Sequence, residues 1–212
     1  MSIPDMLNRR YYTTTDPISF SGINKIRKAT NLPHQRIQDW LEKQDAYTLH
    51  KQIRRKFKRN RYLVTNINDL FQADLIDMRK LASYNDGVKY LLTVIDVFSK
   101  FAYVIPLYSK SGSDVAAAFE EIFTEQIPGN VQTDKGKEFL AKNVQKLFKK
   151  NDINFYVAKN PDVKAAVIER FNRTLKSKMY KYFTHANTFK YIDVLQNFVV
   201  SYSLYESRST QQ

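Results

Sequence analysis

Cysteine is absent from the 212 residues, which excludes disulfides and every cysteine-ligated zinc site. Histidine is nearly as scarce: His34, His50 and His185 lie far apart, so a structural zinc of any kind is not expected. No apolar run approaches the roughly 18 residues of a membrane span. The N-terminus lacks the basic-then-apolar texture of a secretory signal. Internal repeats and low-complexity tracts are missing too. Acidic residues are the last shortage, 21 Asp and Glu against 34 Lys and Arg, for a net charge of +13.

What remains is ample core material and an uneven charge. With 14 Tyr and 14 Phe, the chain can bury one domain of about 130 to 150 residues and a smaller module. Residues 1–70 hold 14 basic against 6 acidic side chains, a net +8, and residues 71–212 hold 20 against 15, a net +5. The densest stretch is KQIRRKFKRNR, residues 51–61, with seven positive charges in eleven positions. Such density favours a polyanion, most simply nucleic acid, and makes Arg54, Arg55, Lys58, Arg59 and Arg61 candidate DNA contacts. A solvated basic linker has the same composition, and nuclear targeting is compatible with either.

Along the chain, residues 1–16 read as an extended arm. Residues 17–50 read as a small helical, helix-turn-helix-like module without zinc: SFSGINKIRKA and PHQRIQDWLEKQ are short helices in which Ile23, Ile26, Ile37, Trp40 and Leu41 have the spacing to pack together. Pro33 suits the first turn of the second helix. A packing domain without nucleic-acid contact fits the same pattern. Residues 51–65 form a basic linker, and residues 66–212 a second domain with C-terminal helices. There FQADLIDM, VKYLLTVIDVFS and KFAYVIPLY predict three successive antiparallel strands. A helix over 113–126, a strand at NVQTD, a helix over 139–150, a strand at INFYVA and helices over 164–183 and 192–204 follow. The order βββαβαβαα is that of an α/β domain with a mixed sheet flanked by helices.

Three carboxylates stand out. Asp74 lies inside the first strand, on the face opposite Ala73 and Leu75. Asp134 closes the fourth strand, where Gly136 lets the chain turn. Glu169 sits on the long helix, directly after the apolar Ala165-Ala166-Val167-Ile168. Carboxylates that meet repel one another and lose hydration, an arrangement that divalent cations compensate, and oxygen-only ligands suit Mg²⁺ or Mn²⁺. Spacing alone leaves this open, since acidic residues are common. Two other acids are weaker candidates: Asp77, which strand alternation turns to the opposite face, and Asp96, placed to cap a turn or support Asp74. Glu138, four residues after Asp134, opens a helix or stands near DNA.

The segments FQADL, TDKGKEF and KAAVIERFNRTLK together resemble the three signature segments of DDE-type integrases, over roughly residues 65–185. Asp74 follows an aromatic residue and a glutamine, and Glu169 stands 35 positions after Asp134, a spacing similar to that of the family's second and third carboxylates. Phe71 stands where the family usually has tryptophan, and Lys135 where asparagine is common. WLEKQDAYTLHKQIRRKF and YLLTVIDVFSK are further similar to the integrases of Polinton or Maverick self-synthesising transposons. Integrases of long-terminal-repeat retroelements are near neighbours that carry a His2Cys2 zinc module, which this chain cannot build.

The resemblance implies a ribonuclease-H-like core. It also implies two Mg²⁺ (or Mn²⁺) ions per active site, held by Asp74, Asp134 and Glu169 as catalytic residues, and 3′-end processing and strand transfer of double-stranded DNA. Two ions roughly 3.5 to 4 Å apart clamp both sides of a phosphodiester in such chemistry. A homodimer or homotetramer acting in the nucleus follows from joining two DNA ends. At about 100° per residue, Arg173 and Lys176 fall within about 40° and 20° of Glu169, and with Asn172 they are expected on DNA. Lys135, and Asn160 and Lys164 in the loop before the long helix, are expected there too. Two alternatives stay open: an integrase-derived DNA-binding protein whose catalysis is unused, and a ribonuclease-H-like nuclease.

Overall fold

In the computed structural model the described residues are 2–51, 64–134, 136–157 and 165–209. In chain order they form α1 (Ile3–Tyr12), α2 (Ile23–Thr30), α3 (His34–Leu41), α4 (Asp45–Thr48), β1 (Leu70–Asp77), β2 (Tyr90–Asp96) and β3 (Ala102–Leu107). Then come α5 (Gly112–Glu125), β4 (Asn130–Thr133), α6 (Lys142–Lys150), β5 (Asn154–Val157), α7 (Ala166–Ala186) and α8 (Leu195–Ser209). A 3-10 turn, Arg79–Tyr84, intervenes between β1 and β2, and another, Ile192–Val194, leads into α8. The described residues divide into two compact units, those of Arg59–Asn172 and those of Met1–Lys58 with Arg173–Ser209.

The first unit holds a five-stranded mixed sheet in the order β3-β2-β1-β4-β5. β1 pairs antiparallel with β2 (Asp74 opposite Thr93) and parallel with β4 (Gln72 opposite Gln132). Alternation along β1 sends Phe71 and Ala73 into a core with Leu92, Val94 and Val131. That core also takes Val115, Phe119 and Ile122 of α5 and Val144 and Phe148 of α6. The apolar residues of α5 recur at helical spacing, and Ser111 caps its start by accepting from the Asp114 backbone N–H. This is the ribonuclease-H-like architecture, α/β with a mixed five-stranded sheet flanked by helices, that the sequence leads one to expect.

The second unit is helical and aromatic. Tyr11, fully buried, meets Phe20 and Trp40 edge-on at centroid distances of 5.5 and 5.2 Å. Phe20 in turn packs on Phe198 of α8. α2 and α3 bury Ile26, Ile37 and Leu41 and are joined through Asn31 in the left-handed region (φ 54°). Two lysines of α7 are buried here. Lys178 Nζ donates to Ser201 Oγ (2.6 Å) and Ser19 Oγ (3.2 Å), and Lys181 Nζ donates to the Phe20 carbonyl (3.0 Å).

Two expectations are corrected. Residues 1–16 are not an extended arm, because Ile3–Tyr12 is helical. Ser2 and Asp5 form a reciprocal capping box, Pro4 sits in the first turn, and Leu7 and Tyr11, one turn apart, are both buried. The C-terminal helices do not all go with the sheet either: Arg173–Ser209 is grouped with the N-terminal helices. The aromatic residues of α7 and α8 complete a core that α1 to α3 are too small to build alone.

Candidate active site

β1 carries the site on the face away from the α5–α6 core. Gln72 is fully buried, and its amide is spent in two directions. Nε2 donates to Oε1 of Gln132 on β4 (2.8 Å). Its Oε1 accepts from the backbone N–H groups of Val167 and Ile168, both at 3.1 Å. These N–H groups belong to the first turn of α7, where a helix has no internal acceptors. The sheet thus supplies the cap, and the start of α7 is held against β1.

Asp74, two residues along the same face, accepts through Oδ2 from the Asn172 side-chain amide (2.8 Å) and through Oδ1 from the Leu75 N–H (2.8 Å). Thr93 Oγ1 donates to its carbonyl oxygen. Asn172 is 6 % exposed, and its Oδ1 is buried without a hydrogen-bond partner. Asp134 follows β4 directly. Continuing the pairing of Gln72 with Gln132 by two residues puts its register position opposite Asp74. It is exposed, and its Oδ1 accepts from the Gly136 N–H (3.0 Å). A Cβ on Gly136 would lie 2.8 Å from Glu138 Oε1 and 3.1 Å from Asp134 Oδ1, so both carboxylates lie beside the space that this glycine leaves open. Glu169 is exposed in the first turn of α7.

The three carboxylates are therefore set on β1, just after β4 and at the start of α7. Among the described residues, no group of three or more His, Asp or Glu side chains stands close enough to hold one metal ion. By donor type the set fits a hard divalent cation, since every side-chain donor is an oxygen. In the arrangement described, one oxygen of Asp74 is engaged with Asn172.

The other expected residues fall as follows. Asn172, expected on DNA, is buried with its amide on Asp74. Arg173 and Lys176 are exposed on α7. Asp77 is exposed and paired with Arg79. Asp96 is buried and caps its turn, accepting from the Phe98 and Ser99 N–H groups. Glu138 is half-buried beside Gly136. Lys135, Asn160, Lys164, Arg54, Arg55, Lys58, Arg59 and Arg61 lie outside the described residues. Gln72 and Gln132 were not singled out in the sequence. Their signal there is a glutamine directly preceded by an apolar residue inside each of two adjoining strands.

Comparison with known proteins adds to this geometry. Residues 65–160 match the integrase core domain family, a stretch that holds Asp74 and Asp134 and stops short of Glu169. A transposon-derived protein of Caenorhabditis elegans is 40 % identical over 124 residues, covering 58 % of this chain and 43 % of that protein. The Gag-Pol polyprotein of walleye dermal sarcoma virus is 30 % identical over 125 residues, covering 57 % of this chain and 7 % of the polyprotein. The chain thus spans less than half the length of either relative. Among solved structures, a chain of the simian T-cell lymphotropic virus intasome in complex with PP2A regulatory subunit B56 gamma superposes with a TM-score of 0.57 at 16 % identity, covering 93 % of this chain and 67 % of that one. The HTLV-2 integrase catalytic core domain in complex with magnesium gives 0.51 at 19 % identity, covering 63 % of this chain and 84 % of that one. At these identities the structural likeness is one of fold. The sequence matches are to an integrase core domain and to transposon and retroviral proteins, over part of the chain.

Proposed function

We propose that the protein is a metal-dependent DNA integrase that trims the 3′ ends of a mobile element and joins them to target DNA. The observation that carries this is the placement of Asp74, Asp134 and Glu169. They stand on β1, at the adjoining end of β4, and on the helix whose first turn Gln72 fastens to β1. Asp74, Asp134 and Glu169 would hold two Mg²⁺ or Mn²⁺ ions, which when bound neutralise charge on a phosphodiester and lower the pKa of a water or 3′-hydroxyl nucleophile. Asn172 holds one oxygen of Asp74 and keeps that carboxylate turned toward α7. Gly136 leaves open the space beside Asp134 and Glu138. Arg173 and Lys176, exposed on α7, would bind DNA phosphates. Joining two ends to one target calls for a homodimer or homotetramer, and the chromosomal target puts the reaction in the nucleus. Among mobile elements, the Polinton or Maverick transposons are the assignment we favour, on the core phrases quoted above.

The test is a strand-transfer assay on short labelled duplexes in Mg²⁺ or Mn²⁺, with the Glu169→Gln variant alongside. Joined products that fall at least 100-fold in the variant are expected. Cleavage without joining, lost in the variant, would favour a ribonuclease-H-like nuclease. Duplex binding with no product from either protein would favour a DNA-binding protein whose catalysis is unused.

A further inference from the structure

An open cleft of about 570 Å³ lies at the C-terminal end of β1, between the 3-10 turn Arg79–Tyr84, the start of β2 and the segment joining β3 to α5. Arg79, Lys89 and Lys110 ring it, with Tyr90, Tyr108, Ser109 and Ser111. None of these side chains belongs to the carboxylate site.

The chemistry of the cleft is that of a nucleotide. Lys89 and Lys110 are exposed and make no ion pair among the described residues. Arg79 is engaged by Asp77, with Nη2 2.6 Å from Oδ2 and Nε 3.0 Å from both carboxylate oxygens, and its guanidinium stands 5.9 Å from the Tyr90 ring centre. That pair cancels one charge of each sign and leaves two lysines as the excess. The hydrogen bonds from Arg79, and after them the charge of Lys110, hold the Asp77 carboxyl below the usual carboxylate range, so Asp77 does not take up a proton to favour the cleft. Tyr108 is 63 % exposed. Its ring edge lies beside Gly87, where an added Cβ would stand 3.9 and 4.0 Å from Cδ1 and Cε1. Gly87 has φ 81° and follows Asp86 at φ 54°, a turn that glycine makes without strain and that leaves the neighbouring ring open to solvent.

An exposed ring between lysines takes a stacked base and its phosphates. Bases inside a duplex have both faces covered by their neighbours, so an aromatic face of this kind selects a base that has left the stack. We propose that this cleft binds an unpaired nucleotide of a DNA strand, its base on Tyr108 and its phosphates on Lys89 and Lys110. This rests on the DNA-directed reading above and deepens it. Asp77, whose partner Arg79 lines the cleft, is three residues from Asp74, about 10 Å along β1 but on its other face, so the cleft and the carboxylate site are separate places at one end of the sheet.

The experiment is equilibrium binding by the full 212-residue chain of two fluorescent DNAs, a blunt duplex and the same duplex with a three-nucleotide single-stranded tail, across a salt series. The wild type is expected to favour the tailed duplex roughly tenfold. Tyr108→Ala should abolish that preference and leave blunt-duplex affinity within about twofold, while Tyr108→Phe, which keeps the ring, should retain it. Lys89→Ala combined with Lys110→Ala should flatten the plot of log affinity against log salt by about one to two units for the tailed duplex. Equal affinity of the wild type for both DNAs, or a tail preference that survives Tyr108→Ala, overturns the proposal and leaves the integrase reading standing. No salt-sensitive binding of either DNA overturns both.

Discussion

Gln72 shows how much of the site depends on a side chain that carries no charge. Its amide joins β4 to the first turn of α7, and each partner is buried or half-buried. Removing it leaves the Gln132 amide and two helix N–H groups without partners, and each such loss costs about 1 to 3 kcal/mol. Gln72→Leu should therefore lower the stability of the sheet unit by about 3 kcal/mol or more, read as a shift in the urea midpoint by circular dichroism. A shift below about 0.5 kcal/mol would mean that the helix start is held by something else. Gly136 makes a second prediction at this scale. Gly136→Ala puts a methyl group against the carboxylates of Asp134 and Glu138, so nuclease or joining activity should fall about tenfold or more while the unfolding midpoint stays nearly unchanged. An equal loss of both would assign the glycine to folding alone. Neither glutamine contact was legible in the sequence, because the partners of Gln72 are 60 and about 95 residues away. The positions of Asp74 and Asp134 were legible, because strand alternation and a turn glycine are local signals.

At the scale of elements, the order of strands and helices in the sheet unit could be read ahead, since each has an apolar period of its own. Helix α1 could not. Its capping box and single buried turn are short signals amid polar residues, and Tyr11 reveals its purpose only against Phe20 and Trp40. Helices α7 and α8 also hide a titration. Burial lowers Lys178 to about 7, with Lys25 and Lys181 adding to the effect and Asp16 opposing it, and burial lowers Lys181 to about 8. Between those values and the ordinary 10.5 the unfolded chain holds protons that the folded chain has released, so stability rises with pH there. Tyr191, raised to about 12 by burial, and Tyr11, raised further, work in the other direction above about pH 10. The helical unit should gain stability from pH 7 to 9, by at most about 1.4 kcal/mol per pH unit for each lysine. Lys178→Met should remove part of that slope, as measured by urea unfolding at the two pH values. A slope unchanged in the variant would show that Lys178 is charged in the folded protein.

For the whole molecule, composition leads one to expect a larger domain and a smaller module in chain order, and the two compact units of the described residues are divided along other boundaries. Charge runs and texture changes mark where a segment differs from its neighbour, whereas the grouping of Arg173–Ser209 with Met1–Lys58 depends on which aromatic faces meet. That division has a consequence for synthesis. The helical unit is encoded at both ends of the sequence, with the sheet unit between. On a ribosome adding about 5 to 20 residues per second, α1 to α4 emerge roughly ten to thirty seconds before α8. During that interval Tyr11, Phe20 and Ile37 have no finished core to enter, while the sheet unit can fold as soon as α7 begins. The apolar faces of α1 to α3 thus wait on the nascent chain until α8 has been made.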